Sequence, residues 1–275
     1  MTASTDLVRL AVCADDFGLD PCVDAGAVVL AGMQRLSAIA CMVGAPYWRT
    51  DAGLLRGLDP RRTETGLHLD LTQHPFDARL RRPLPEWILR SYAGALDRAA
   101  LRREVGAQID AFVAELQRPP AFVDGHEYVH QLPGVRDVLL QALAERGLRP
   151  WLRSTRRPPP LHSAKARLIE ALGASGLARR ARAQGLLQNR RLLGIYPFDD
   201  ETRDFRQALA QWLAVAQSGD LLVCHPAAGL STSVEHAAAR RREFASLSDP
   251  AFDALLERSR VGIVPLGVAL ASCAA

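Results

Sequence analysis

Short apolar runs alternate with segments of helical apolar spacing along the whole chain, and this alternation limits the fold more than any other feature. The runs are Leu7 to Cys13, Ala38 to Val43, Glu64 to Thr72, Ala121 to His126, Leu148 to Arg153, Gly194 to Phe198, Asp220 to Cys224 and Val261 to Leu266. Each has the length and composition of a strand. Between them the spacing predicts helices over 21–36, 48–58, 101–116, 133–146, 164–184, 202–217, 233–244 and 250–260, with a long proline-bearing loop over 73–96. Strands separated by helices make a parallel sheet with crossover helices, either closed into a barrel or open and doubly wound. The chemistry-bearing residues decide between the two. Asp15 and Asp16, His68, His126, Arg153 and His225 stand at or near the C-terminal ends of different runs. A β/α barrel brings those ends to one rim, whereas an open sheet gathers fewer of them. No GxGxxG follows the first run to support a dinucleotide fold. The expectation is therefore an α/β chain, a single distorted β/α (TIM-like) barrel domain over 1–275, with fewer than eight strands allowed.

Composition removes several function classes. The net charge is +4, yet Lys165 is the only lysine among 34 basic residues, and the arginine clusters are scattered without interleaved aromatics. Such a pattern reflects compositional bias and argues against a nucleic-acid partner. Five cysteines without a CxxC pair point to reduced buried thiols. No apolar run approaches the ~20 residues of a membrane span and no signal-peptide core precedes the first strand, so the cytoplasm is the expected location. A homo-oligomer is compatible with the sequence, which does not specify one.

The constellation can be read as chemistry. Two adjacent carboxylates at the exit of a buried strand are costly, and alternation along an extended chain sends Asp15 and Asp16 in different directions. One can ligate a cation while the other handles a proton. Asp16, His68 and His126 offer one oxygen and two imidazoles, a set suited to one divalent metal ion such as zinc that leaves room for water. Asp15 would be the base for that water, and His225 a proton donor from the opposite rim. His130 is read as a support or substrate contact, Arg153 as a contact to a phosphate or sugar hydroxyl, and Tyr128, Trp87 and Trp151 as candidate stacking surfaces. Against this stand plainer roles: a turn and helix cap for the acids near Pro21, hydrogen-bonded core histidines, and ordinary aromatic packing.

Four motifs in register resemble a known family. Ala14-Asp15-Asp16-Phe17-Gly18, Gly66-Leu67-His68-Leu69-Asp70-Leu71-Thr72, Val123-Asp124-Gly125-His126 through His130 to Leu132-Pro133, and Cys224-His225-Pro226-Ala227 are similar to those of the YdjC-like carbohydrate deacetylases. The resemblance implies a distorted β/α barrel and metal-dependent removal of acetyl from an N-acetylated sugar, whether oligosaccharide or lipid- or nucleotide-linked. By motif, Asp16, His68 and His126 correspond to the metal ligands, Asp15 to the base and His225 to the candidate acid. The metal is zinc or magnesium, since family pattern and ligand chemistry pull differently. Tyr128 stands where many members have the middle histidine of HxHxH, so the substrate lining differs. The competing readings are a metal-dependent phosphoesterase and a non-catalytic glycan-binding barrel.

Overall fold

Strand and helix follow one another because period-two apolar runs are broken by helix caps and glycine turns. A computed structural model describes residues 7–159, 164–198, 204–231 and 234–271. In chain order the elements are β1 (Val8–Phe17), α1 (Pro21–Gly32), β2 (Ala38–Cys41), α2 (Trp48–Arg56), β3 (Glu64–Leu69), α3 (Leu84–Tyr92), α4 (Arg98–Leu116), β4 (Phe122–Gly125), α5 (Val135–Glu145), β5 (Trp151–Leu152), α6 (Ala164–Ala171), α7 (Ala174–Ala183), β6 (Leu192–Leu193), α8 (Phe205–Val215), β7 (Leu221–Cys224), α9 (Ala237–Ser248), α10 (Ala251–Ser259), β8 (Val261–Ile263) and α11 (Leu266–Ala271). Asp20 caps α1 through the amide of Cys22, and Asp97 and Asp204 cap α4 and α8 in the same way. The acids Asp15 and Asp16 are thus free of that duty.

The strands pair in parallel in the order β5-β4-β3-β2-β1-β7-β6, and β8 adds to the first half of β1. The result is a distorted α/β half-barrel rather than a closed eight-stranded one. Alternation sorts the side chains. Leu10, Val12, Ala14, Ile39, Cys41, Leu67, Val123 and Leu222 pack outward with the helices, while Ala11, Cys13, Ala38, Ala40, Phe122, Trp151, Leu221 and Val223 form an inner cluster. The small inner residues let the strands curl tightly. Helix α11 contributes Leu266 and Ala269 to that cluster, and Glu64 ties it down by accepting from the Leu266 amide and the Trp151 indole, each at 3.1 Å.

Two expected elements move. The sixth strand is Leu192–Leu193, upstream of the run over 194–198, because Gly194 has φ +94° and a Cβ there would lie 2.1 Å from the Val223 carbonyl oxygen. The expected loop over 73–96 contains α3, whose prolines sit in the first turn, where a missing N–H costs nothing. The helical stretch over 164–184, expected to be interrupted by glycine, divides at Gly173, φ +154°. His162 and the helix starts expected at Thr202 and Ser233 lie outside the described residues. Among those described, no helix is long and apolar enough to cross a membrane, and Cys13, Cys22, Cys41 and Cys224 are free thiols.

Candidate metal centre and active site

The inner layer of the half-barrel turns polar at its C-terminal end. Asp15 follows Ala11 and Cys13 in inward alternation, His68 follows Gly66, Asp124 follows Phe122, Arg153 follows Trp151, and His225 follows Val223. Arg153, with no exposed surface, grips Asp15 with both terminal nitrogens, Nη1 to Oδ2 and Nη2 to Oδ1, each at 2.6 Å. It also forms an ion pair with Asp124. Burial works against the charge on Asp15, but Arg153 outweighs it and lowers the carboxyl to about 2. Asp15 is therefore ionised at pH 7.

Alternation alone would send Asp16 outward with Ala14. The β1 ladder instead shifts register between Ala14 and Phe17, and Asp16 adopts φ +69°. A bulge of this kind re-aims one side chain, and it turns Asp16 to the same rim as Asp15. Gly18, at φ +101°, completes the turn where a Cβ would meet the Met42 carbonyl oxygen at 2.9 Å. Asp16 Oδ1 then lies 3.1 Å from His126 Nδ1 and 3.4 Å from His68 Nε2. Its other oxygen accepts from Arg240 Nη2 at 2.6 Å. Burial opposes ionisation here too, yet Arg240 and then His126 hold Asp16 well below the usual carboxylate range.

These three side chains fit a divalent ion. Donor atoms of Asp16, His68 and His126 all lie within 4.8 Å of one another. His68 turns Nδ1 to Asp124 Oδ1 at 2.7 Å, which fixes the ring and leaves Nε2 facing Asp16, the arrangement that orients metal-binding histidines. Burial disfavours charge on His68, but Asp124 and Asp15 raise it to about 10, so without a cation the site keeps a proton in its place. One oxygen and two nitrogens suit zinc and similar ions; the geometry does not select among them.

His225 stands across the rim, with Nε2 3.8 Å from Asp15 Oδ2. Burial lowers it to about 4, which makes it a neutral imidazole at pH 7. Above these groups opens a cavity of about 580 Å³ whose floor is Asp15, Asp16, His68, His126, His225 and Arg240. Tyr128 forms part of its wall, held with Glu127 in the left-handed region at φ +61° and +50°. His74 and His236, given no role from the sequence, also line it.

A family model described as YdjC-like protein matches residues 9–258. The chain belongs to the YdjC-like family. A human protein named carbohydrate deacetylase is 32% identical over 155 residues, covering 52% of this chain and 47% of that protein. A Yersinia enterocolitica chitooligosaccharide deacetylase is 36% identical over 66 residues, covering 24% of this chain and 26% of its own. The chain thus matches about half the length of the first of these relatives. Among solved structures, an Enterococcus faecalis protein described as a candidate cellobiose-phosphate cleavage protein superposes with TM-score 0.70 and 20% identity, covering 96% of this chain and 99% of its own. The Xyl-CE4 domain of a xylanase from a Trinervitermes trinervoides hindgut metagenome gives 0.53 at 9% identity, over 98% of this chain and 92% of that one. Both likenesses concern the fold.

Within this YdjC-like chain, two expected substrate contacts turn away from the cavity. Arg153 is consumed by Asp15 and Asp124 beneath the floor. His130, also without exposed surface, uses Nε2 to donate to the Arg153 carbonyl at 2.9 Å and is lowered by burial to about 4. Trp87 donates to the Leu71 carbonyl at 3.0 Å and Trp151 stacks on Phe122 with centroids 4.3 Å apart, so both are core residues. Sequence reasoning missed Asp124, Arg240, Glu243 and Tyr196. Only Asp124 left a signal, a carboxylate inside a buried strand two residues before His126.

Proposed function

We propose that this chain is a metal-dependent hydrolase that removes the acetyl group from an N-acetylated sugar. The observation that carries the reading is the meeting of Asp16, His68 and His126 with the separately held carboxylate Asp15 at the floor of one cavity. The names of the family's curated relatives support the substrate class.

A divalent ion held by Asp16, His68 and His126 would supply Lewis acidity toward the acetamide carbonyl and toward water. Asp15, ionised and clamped by Arg153, accepts the proton from the attacking water. As the water oxygen bonds to the acetamide carbon, the C–N bond breaks, and the nitrogen needs a proton to leave as amine. His225, a neutral imidazole at pH 7 whose Nε2 lies 3.8 Å from Asp15 Oδ2, takes up that proton and delivers it to nitrogen. Tyr128 offers a ring face to the apolar side of a pyranose.

The test is acetate release from N-acetylated chitooligosaccharides and N-acetylglucosamine glycosides by protein loaded with zinc or magnesium. Release that stops with chelator and returns with metal is the expected result. Phosphate release from sugar phosphates without acetate release would replace this reading with a phosphoesterase; neither activity, in folded loaded protein, would leave the glycan-binding barrel.

A further inference from the structure

Helix α9 lies outside the sheet, yet two of its side chains, one turn apart, reach the candidate site. Arg240 is 6% exposed and Glu243 fully buried. Glu243 accepts from the backbone amide of His225 and from the Tyr196 hydroxyl, both at 2.5 Å. The Arg240 carbonyl accepts from the Ala227 amide at 3.2 Å, and its Nε donates to the Glu235 carbonyl at 3.1 Å. The bonds to His225, Tyr196 and Ala227 dock α9 against the segments that follow β7 and β6 without help from the Arg240 terminal nitrogens, while the Glu235 bond stays within the segment leading into α9. The contact of Nη2 with Asp16 Oδ2 at 2.6 Å is an additional link, from α9 to the bulge of β1.

That contact divides the Asp16 carboxylate. Oδ2 belongs to the guanidinium; Oδ1 is the oxygen turned toward His68 and His126. It also alters the charge of the floor. Asp15, Asp16 and Asp124 face the guanidinium groups of Arg153 and Arg240, which leaves one net negative charge when the imidazoles are neutral. Without Arg240 the same buried pocket would carry two, and would attract a divalent cation more strongly while offering it less electron-poor surroundings.

We propose that Arg240 is a positioning residue for Asp16, restricting it to a single oxygen directed at the cation and offsetting its charge, so that the site sacrifices metal affinity for electrophilic strength. The proposal rests on the metal-dependent reading above. Removing the guanidinium should then separate two properties that ordinary damage lowers together: the cation binds more tightly while turnover falls.

The experiment compares wild type, Arg240→Met, Arg240→Lys and Asp16→Ala as full-length chains. Zinc affinity is measured by competition with a chromophoric chelator, the zinc-induced rise in Tm by calorimetry, and acetate release alongside. Arg240→Met should bind zinc about tenfold more tightly and show a larger zinc-induced Tm rise, with turnover reduced at least about tenfold. Arg240→Lys, which restores the charge without the planar fork, should return to wild-type affinity with turnover still reduced. Should Arg240→Met fail to fold without metal, Arg240→Lys decides, since wild-type affinity with undiminished turnover would overturn the positioning role. Unchanged or weaker zinc binding in folded Arg240→Met would overturn the proposal while leaving the hydrolase reading intact. Wild-type protein that binds no zinc but loses acetate-releasing activity to no chelator would instead overturn the metal-dependent reading on which it rests.

Discussion

Asp15 and Asp16 are neighbours in sequence, and each is held by an arginine, but the two pairs are built differently. Arg153 comes from the end of β5 and meets Asp15 inside the barrel, in a layer that strand alternation lays down. It has no exposed surface and serves Asp124 as well. Arg240 comes from a helix on the outside and meets Asp16 only because a bulge turns that residue from the outer face to the rim. The inner pair is part of the sheet. The outer pair depends on an irregularity and a docked helix, and it faces the cavity. From this difference we infer that the inner pair carries stability and holds the base, whereas the outer pair tunes what the floor binds.

The comparison can be broken most severely at the inner pair. Asp15→Asn keeps the shape but not the charge, and steady-state acetate release should fall about 10²–10⁴-fold while calorimetric zinc binding persists. Turnover near wild type in that variant would remove the base from Asp15. Arg153→Met should then cost about 3–5 kcal/mol in urea unfolding, because it strands two buried carboxylates. If Arg240→Met costs as much, the two pairs are equally structural and the distinction fails.

A separate effect, read against pH, sharpens the contrast from behind the turn. Asp24 on α1 accepts from the Gly18 amide at 2.6 Å, with the Asp51 carboxyl beside it. Burial, against the pull of that amide and with help from Asp51, raises it to about 8. Between about pH 4 and 8 the folded chain keeps a proton that the unfolded chain releases. Stability should therefore decline as pH rises through that window, by at most about 1.4 kcal/mol per pH unit, and Asp24→Asn should remove the decline. Parallel pH–stability curves for the two proteins would refute the assignment. The smallest expected change is Tyr128→Ala, with KM raised about threefold to tenfold and kcat little altered; a collapse in kcat would mean that the wall holds the floor in place.

Much of the inner architecture was legible beforehand. Period-two alternation places Leu67, Leu69 and Leu71 opposite His68 and Asp70, and strand-end positions bring Asp15, His68, His126, Arg153 and His225 to one rim, as the half-barrel does. The direction each side chain takes was less legible. Arg153 reads as a surface contact because a lone arginine at a strand end does not announce two buried carboxylates. His130 reads as a rim residue because nothing in the sequence marks the left-handed pair Glu127 and Tyr128 that turns it inward. The bulge at Asp16 has no signature beyond Gly18. Arg240 and Glu243 lie in an arginine-rich helix whose composition resembles an exposed face, and only tertiary docking shows that they reach the floor. Register and period are local properties; the partners of buried charges are not.

The most direct test of the central claim is a calorimetric titration of metal-stripped protein with zinc and with magnesium, run in buffers of different ionisation enthalpy beside His126→Ala. One ion should bind per chain, with a proton released as it displaces the one held by His68, and the variant should lose that binding. Folded wild-type protein that binds neither ion, or a His126→Ala variant that binds as wild type does, would contradict a metal centre at Asp16, His68 and His126.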